Sequence, residues 1–142
     1  MILVDANLLI YAVDSDSPHH RPARRFLEDV LSGPTPLGLA WNVILAFLRL
    51  TTRPGILQRP LRPEAALDFV EEWLSQPFVE PVTPGPSHWA VLRNLVKATG
   101  TAGNLTSDAH LAALAIERGG TVCSTDSDFR RFPGLDYVNP LV

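Results

Sequence analysis

The chain has 142 residues, 46% apolar and 19% charged, the balance of a folded protein rather than a disordered tract; its length suits one core and one domain spanning 1–142. A net charge of −3 argues against a general nucleic-acid binder unless the acids hold cations, since one divalent ion takes −3 to −1 and two take it to +1. No apolar run approaches the roughly 20 residues that span a bilayer, no basic-then-apolar leader opens the chain, and the single cysteine, Cys123, excludes an internal disulfide, which suits a reducing cytoplasm.

In chain order, Met1–Val4 is a short apolar run ended by Asp5, the pattern of a central parallel strand. Ligands of open α/β sheets collect at the carboxyl ends of strands, where Asp5 stands. A helix follows over Asn7–Val13, with Leu8, Leu9 and Ala12 on one side. Asp5 either caps this helix or serves a site; Asn7 bonds either a metal-bound water or the local backbone. Asp14–His20 is polar, and the adjacent His19 and His20 read as a solvated loop rather than a metal pair. Pro22–Leu31 forms a second helix with Phe26, Leu27 and Val30 apolar, followed by a Gly/Pro loop. Leu37–Ala40 is a strand, and Trp41–Leu50 a strongly apolar helix on which Asn42 and Ala46 share a face. Arg49 is the one charge of that helix, either snorkelling at the surface or reaching a phosphate. After a loop over Thr51–Arg62, Pro63 opens a helix to Ser75 with Ala66, Leu67, Val70 and Leu74 as its apolar stripe. Phe78–Val82 is a further strand. Ser87 is predicted to cap a helix through Lys97, with Trp89, Leu92 and Val96 inward and Arg93 and Lys97 as a basic edge.

After a Gly-containing loop over Thr99–Gly103, the stretch Asn104–Phe129 reads as helix, Gly-Gly turn, short strand and acidic turn. Leu111, Leu114 and Ala115 follow Asp108 at three, six and seven residues, so Asp108 lies on or beside the apolar face and points into the protein or a cleft. A buried carboxylate needs a partner; the plainer reading is a first-turn acid complementing the helix dipole behind a Thr106 cap. Gly119-Gly120 stops the helix. Thr121–Thr125 is β-like, with Cys123 as buried packing, and Asp126 and Asp128 follow where a turn alone would account for them. Arg130 and Arg131 precede a last segment, Tyr137–Leu141. Strands alternating with helices imply an α/β fold, a central mostly parallel sheet flanked by helices.

Four acids drawn from both ends of the chain, Asp5, Asp108, Asp126 and Asp128, suit a hard cation such as Mg²⁺ or Mn²⁺. Such an ion lowers the pKa of bound water and stabilises charge on a reacting phosphate, which fits hydrolysis of a phosphodiester. Crowded acids also repel, so without metal at least one should hold its proton more tightly than a free Asp. No zinc spacing, phosphate-cradling loop or GxSxG nucleophile is present. A phospho-acceptor or phosphatase built on Asp5 is the weaker alternative, because Asn7 stands where such chemistry wants a second Asp.

The opening ILVDANLLIYAVD, the central WNVILAFLRLTTRPGIL and the closing LTSDAHLAALAIERGGTVCSTDSDFRRFPGLDYVNPL resemble PIN-domain ribonucleases, and among them the VapC toxins of bacterial VapBC modules. The resemblance covers nearly the whole chain and is weakest over Arg59–Thr101. It implies a three-layer PIN-like fold, Mg²⁺ (or Mn²⁺) held by Asp5, Asp108, Asp126 and Asp128, and endonucleolytic cleavage of structured RNA such as tRNA or rRNA to a 5′-phosphate and 3′-hydroxyl. It implies further a bacterial cytoplasmic homodimer, with no membrane, neutralised by a VapB antitoxin. Asn7, Asn42, Thr125 and Arg49 would stand beside the metal or substrate, and Arg93, Lys97, Arg130 and Arg131 would meet RNA backbone. The pattern departs at Ala46, where many relatives carry Glu; Asn42, one turn earlier, is a neutral oxygen in its place. A PIN-like module that binds RNA or antitoxin but cleaves weakly is the alternative this departure leaves open.

Overall fold

The computed structural model describes residues 1–100 and 103–142, so the predicted Thr99–Gly103 loop lies partly outside the described residues. Five strands, β1 (Ile2–Val4), β2 (Leu37–Ala40), β3 (Val79–Val82), β4 (Thr121–Cys123) and β5 (Asp136–Val138), form one sheet in the order β3-β2-β1-β4-β5. Every pairing is parallel. Six α-helices connect and cover them: α1 (Ala6–Val13), α2 (His20–Ser32), α3 (Trp41–Thr52), α4 (Pro63–Leu74), α5 (His88–Thr99) and α6 (Thr106–Glu117). The chain builds outward from β1 through β2 to β3, then returns to the other side of β1 for β4 and β5. Right-handed crossovers in opposite directions put α1–α4 on one face and α5–α6 on the other.

Burial follows from this layering. β1 and β2 read as continuous apolar runs because both faces are covered, and Leu3, Val4, Leu37, Leu39 and Ala40 are fully buried. On the α3–α4 side Phe47 meets Trp73 edge-on at 5.0 Å. Alanines at 109, 112, 113 and 115 let α6 lie close to the sheet. Gly120 sets the register of the central pair: a Cβ there would stand 2.8 Å from the Met1 carbonyl oxygen, which accepts the Thr121 N–H at 3.0 Å. Gly119 takes φ +61°, ending α6 as the Gly-Gly pair predicts.

Several local expectations change. Trp89 is 71% exposed and Leu67 54% exposed, although both were expected inward. The inner face of α5 runs instead through His88 and Leu95, while that of α4 keeps the expected Ala66 and Val70 and adds Trp73. A short helix docked on one side buries a narrow stripe, and these two residues fall just beyond it. Ser87 stands before α5 with ψ 0° and makes no side-chain cap, since capping geometry needs an extended residue there. Thr106 does not cap α6 either; its hydroxyl donates to the Gly103 carbonyl at 2.9 Å. His20 is not in a solvated loop: it opens α2 and donates from Nδ1 to the Tyr11 carbonyl at 2.9 Å. Cys123 is buried, with its thiol pushed up to about 11 by burial, so it packs rather than reacts. Among the described residues no helix is long and apolar enough to cross a membrane.

Candidate active site

The sheet order creates a switch point at β1 and β4, neighbours whose outgoing connections run in opposite directions. Crevices at the carboxyl ends of such strands are where α/β sheets receive ligands. Asp5 leaves β1 there, and Ser124 to Asp128 leave β4 beside it. The parallel register Val4↔Cys123 sets the two exits side by side, and the Asp5 N–H continues the ladder to the Cys123 carbonyl at 2.9 Å.

Ser124 ties these exits together. It is fully buried. Its Oγ donates to Asp5 Oδ2 at 2.7 Å and accepts from Asn7 Nδ2 at 3.2 Å and from the Asp126 N–H at 3.0 Å. One hydrogen and two lone pairs are thereby all used. With both lone pairs filled by N–H donors, the hydroxyl hydrogen must go to Asp5, which fixes that carboxylate's orientation. Asp5 Oδ1 also accepts the Ala6 N–H at 2.8 Å, so the residue caps α1 as well as lining the crevice. Burial nevertheless holds Asp5 above its ordinary value, outweighing both hydrogen bonds, with Asp126 adding repulsion.

Asp108 enters from the first turn of α6 and shares a cavity of about 270 Å³ with Asp5, Asn42, Ala46, Arg49 and Ser107. Its carboxyl is pushed up to about 7, first by burial and then by the charges of Asp5, Asp126 and Asp128. The expected mutual repulsion is thus present in the fold, and Asp108 is the acid that bears it most. Asp126 caps the 3-10 turn Ser127–Arg131, accepting the Asp128 N–H at 2.9 Å, and Asp128 is exposed on that turn. Asp126 and Asp128 act on Asp108 through their charge but do not line its cavity.

The site has unmet hydrogen-bonding capacity. Asn7 Oδ1 and Asn42 Oδ1 are buried with no partner. An orphaned buried acceptor costs about 1–3 kcal/mol, and water on a hydrated cation would supply the missing donors. Among the described residues no three His, Cys, Asp or Glu side chains form a ready cage for a metal ion. Donors that are all oxygens, carboxylate and amide, suit a hard cation. The residues present therefore fit a hydrated hard cation. They fit a phosphorylated Asp5 poorly, since both its oxygens are already engaged.

The remaining predicted residues lie around this centre at varied remove. Thr125 is half-buried between Ser124 and Asp126. Arg49 is exposed at the rim of the Asp108 cavity. Arg93 and Lys97 are exposed on α5, and Arg130 and Arg131 on the 3-10 turn; none lines that cavity. Arg130 instead stands 6.0 Å over the Tyr137 ring. Two groups escaped sequence reasoning. Ser124 is one; its only signal was a polar residue ending an apolar strand two positions before Asp126. The other is a half-buried chain in which His88 donates from Nδ1 to Glu117 Oε2 at 2.6 Å and pairs through Nε2 with His110 Nδ1 at 2.9 Å. A second cavity, of about 500 Å³, opens between α2 and α4, away from the acids, and includes Leu27, Leu31, Phe69 and Trp73.

Comparison with known proteins extends these observations. The PIN domain family matches residues 2–135. Ribonuclease VapC37 of Mycobacterium tuberculosis is 46% identical over 140 residues, covering 99% of this chain and 97% of that protein. Ribonuclease VapC33 of the same species is 42% identical over 141 residues, covering 99% of each. Among solved structures, VapBC2 from Rickettsia felis, bound to a promoter DNA fragment, superposes with a TM-score of 0.71 at 18% identity over 97% of this chain and 98% of that one. Mycobacterium tuberculosis VapC20, described as a sarcin–ricin-loop-cleaving toxin, gives a TM-score of 0.65 at 20% identity over 92% and 93% of the two chains. With a parallel sheet whose switch point gathers acids, and with full-length relatives at this identity, the chain belongs to the PIN-domain family.

Proposed function

We propose that this protein, acting as one PIN domain, is a metal-dependent endoribonuclease toxin that hydrolyses RNA phosphodiester bonds, in tRNA or rRNA, and is neutralised by a VapB-type antitoxin. The observation that carries the reading is that Asp5 and Asp108, from opposite ends of the chain, line one cavity with an orphaned Asn42 oxygen. The similarity to ribonucleases named VapC supports the activity, and solved VapBC complexes of the same fold support the partner. On this chain the cavity between α2 and α4, where Leu27, Phe69 and Trp73 lie beside Arg24, Glu28 and Glu72, offers a surface for that partner. Homodimerisation and a bacterial cytoplasmic location belong to the same reading.

Asp5, Asp108, Asp126 and Asp128 hold the cation, Mg²⁺ with Mn²⁺ as substitute. When bound, that ion supplies a water of lowered pKa and charge stabilisation at the phosphate. Ser124 and the α1 N-terminus lock Asp5 in its orientation. Asn7 and Asn42 turn their open oxygens to water around the ion, and Thr125 stands beside Asp126. Asp108, pushed up to about 7 by burial and by the charges of Asp5, Asp126 and Asp128, is the acid that gains most when a cation joins the cluster. The water oxygen bonds to phosphorus and gives up a proton to solvent, the bond from phosphorus to O3′ breaks, and O3′ takes a proton from solvent, leaving 5′-phosphate and 3′-hydroxyl ends. Arg49 contacts the phosphate, while Arg93, Lys97, Arg130 and Arg131 steer the RNA backbone.

Purified antitoxin-free protein is expected to cut a mixed tRNA and rRNA pool in Mg²⁺ or Mn²⁺ and to stop in EDTA. Cleavage that persists in EDTA would defeat the metal mechanism. One observation favours a second reading: the α3 wall of the cavity, Asn42 and Ala46, has no carboxylate. A module that binds RNA or antitoxin and scarcely cleaves would show RNA binding and no cut products in the same assay.

A further inference from the structure

Tyr137 is the middle residue of β5, an edge strand of the sheet. Successive side chains of a strand face opposite ways, so Asp136 and Val138 are exposed while Tyr137 is half-buried. Its backbone pairs with Val122 of β4, yet its hydroxyl donates to the Ser124 carbonyl at 3.0 Å. That carbonyl is two residues farther along the neighbouring chain, about 7 Å, which takes a long, stiff side chain to reach. The last paired residues of the two strands are Cys123 and Val138, and the Ser124 N–H closes the ladder on the Val138 carbonyl at 3.1 Å. The Ser124 carbonyl lies one step past that end, at the crevice, and the phenol supplies its donor.

Ser124 is thereby held by β5 on its main chain while its Oγ holds Asp5, Asn7 and the Asp126 N–H. A peptide plane and the side chain next to it do not move independently, so a tilt of the Ser124 carbonyl swings Oγ away from Asp5. The Tyr137 ring serves the other exit. Phe129 stacks on it at 5.9 Å and 22°, and Arg130 stands 6.0 Å over it. Both belong to the 3-10 turn Ser127–Arg131, which carries Asp128 and is capped by Asp126. Burial raises the phenol above its ordinary value, the Arg130 charge opposing and the Asp126 and Asp5 charges adding, so the group stays a donor. Aromatic packing on an edge strand accounts for the ring; it does not account for the acceptor the hydroxyl takes.

We propose that Tyr137 is a positioning residue for the cation site: its hydroxyl fixes the Ser124 main chain and, through Ser124 Oγ, the Asp5 carboxylate and the Asp126 N–H in the arrangement that receives the ion. This rests on the metal-dependent nuclease reading above and adds to it a residue that touches neither ion nor RNA. The chain of contacts runs from the edge of the sheet to its centre: Tyr137, Ser124, Asp5.

The test uses the full chain and Mn²⁺, with Tyr137→Phe, Ser124→Ala and the double variant. Tyr137→Phe keeps the ring and its contacts with Phe129 and Arg130 and removes the hydroxyl alone; a metal-free melt verifies that it folds. By calorimetry it should bind Mn²⁺ about 5- to 20-fold more weakly than wild type, a smaller loss than that of Ser124→Ala, which stands one contact nearer the ligand. The double variant should bind within about twofold of Ser124→Ala alone, because without Oγ the hydroxyl has nothing to position. In cleavage of a tRNA pool, Tyr137→Phe should lower kcat at limiting Mn²⁺, return to within about twofold of wild type at saturating Mn²⁺, and leave KM within about twofold. A hydroxyl that only packs would lower the melting temperature and move none of these. Mn²⁺ affinity of Tyr137→Phe within about twofold of wild type, or losses that multiply in the double variant, would overturn the inference and leave the nuclease reading standing. No Mn²⁺ binding by wild type would overturn that reading itself, and the inference with it.

Discussion

Two groups of ionisable side chains draw on α6 and are built on opposite plans. Between α5 and α6, Glu117, His88 and His110 form a closed chain. Glu117 Oε2 pairs with His88, its Oε1 takes the Gly85 N–H at 3.1 Å, and His88 reaches His110. Burial lowers the His110 value, and the Glu117 charge only partly offsets it. At the β1–β4 exits, by contrast, like charges face one another, Asp5 and Asp108 are both pushed upward, and two amide oxygens lack partners. A satisfied polar network stiffens a fold, and a frustrated one asks for a ligand. The first group reads as a clasp between helices and the second as a site.

That contrast sets the expected responses to mutation. Asp5→Asn and Asp108→Asn should each lower RNA cleavage at least about 100-fold, the loss of roughly 2.7 kcal/mol of transition-state stabilisation. Asp108→Asn should leave the metal-free fold intact or firmer, while Asp5→Asn, with one acceptor oxygen for two donors, should lose one of its hydrogen bonds to Ser124 or Ala6; cleavage within threefold of wild type would remove them from the mechanism. Ser124→Ala should weaken Mn²⁺ binding by about 10- to 100-fold, as loss of a residue that orients a ligand does. An unchanged affinity would mean Asp5 needs no such support. Glu117→Gln inverts the pattern: it should cost about 2–3 kcal/mol of stability in urea melts, as breaking a buried charge-assisted pair does, yet leave Mn²⁺ affinity within threefold. If Mn²⁺ affinity fell as far as it does for Ser124→Ala, the two groups would not be separable.

The smallest effect is a pH dependence. Asp108 in the folded protein titrates at about 7, above its ordinary 3.8, so the folded state binds the proton more tightly. Metal-free stability from this group is therefore greatest below about pH 4 and falls as pH rises through 7. Asp108→Asn should melt higher than wild type at pH 8 in EDTA, with the difference closing toward pH 4. A constant difference across that range would mean the charge cluster does not strain the fold.

Much of this was legible in the sequence because it is local. An apolar run ended by Asp5 and a helix carrying Asp108 beside Leu111 are patterns within a few residues, and the alternation of strands and helices implied a parallel sheet. Ser124 was not legible, because its role depends on the register between strands more than a hundred residues apart. His88 and Glu117 are 29 apart and meet only once α5 docks on α6. Trp89 and Leu67 were misplaced because periodicity gives the direction of an apolar face, while its width is set by the neighbouring layer. Ala46 and Asn42 were visible as a departure, but that they share a cavity with Asp5, Asp108 and Arg49 needed the fold.

The central claim is that the acids gathered at the β1–β4 exits are frustrated until a divalent cation joins them. Thermal melting at pH 8 with and without millimolar Mn²⁺ tests it directly. Wild type should gain several degrees on adding the ion, from binding to the folded state alone, and Asp5→Asn and Asp108→Asn should gain little. A wild-type melting temperature indifferent to Mn²⁺, or equal gains in all three proteins, would contradict it.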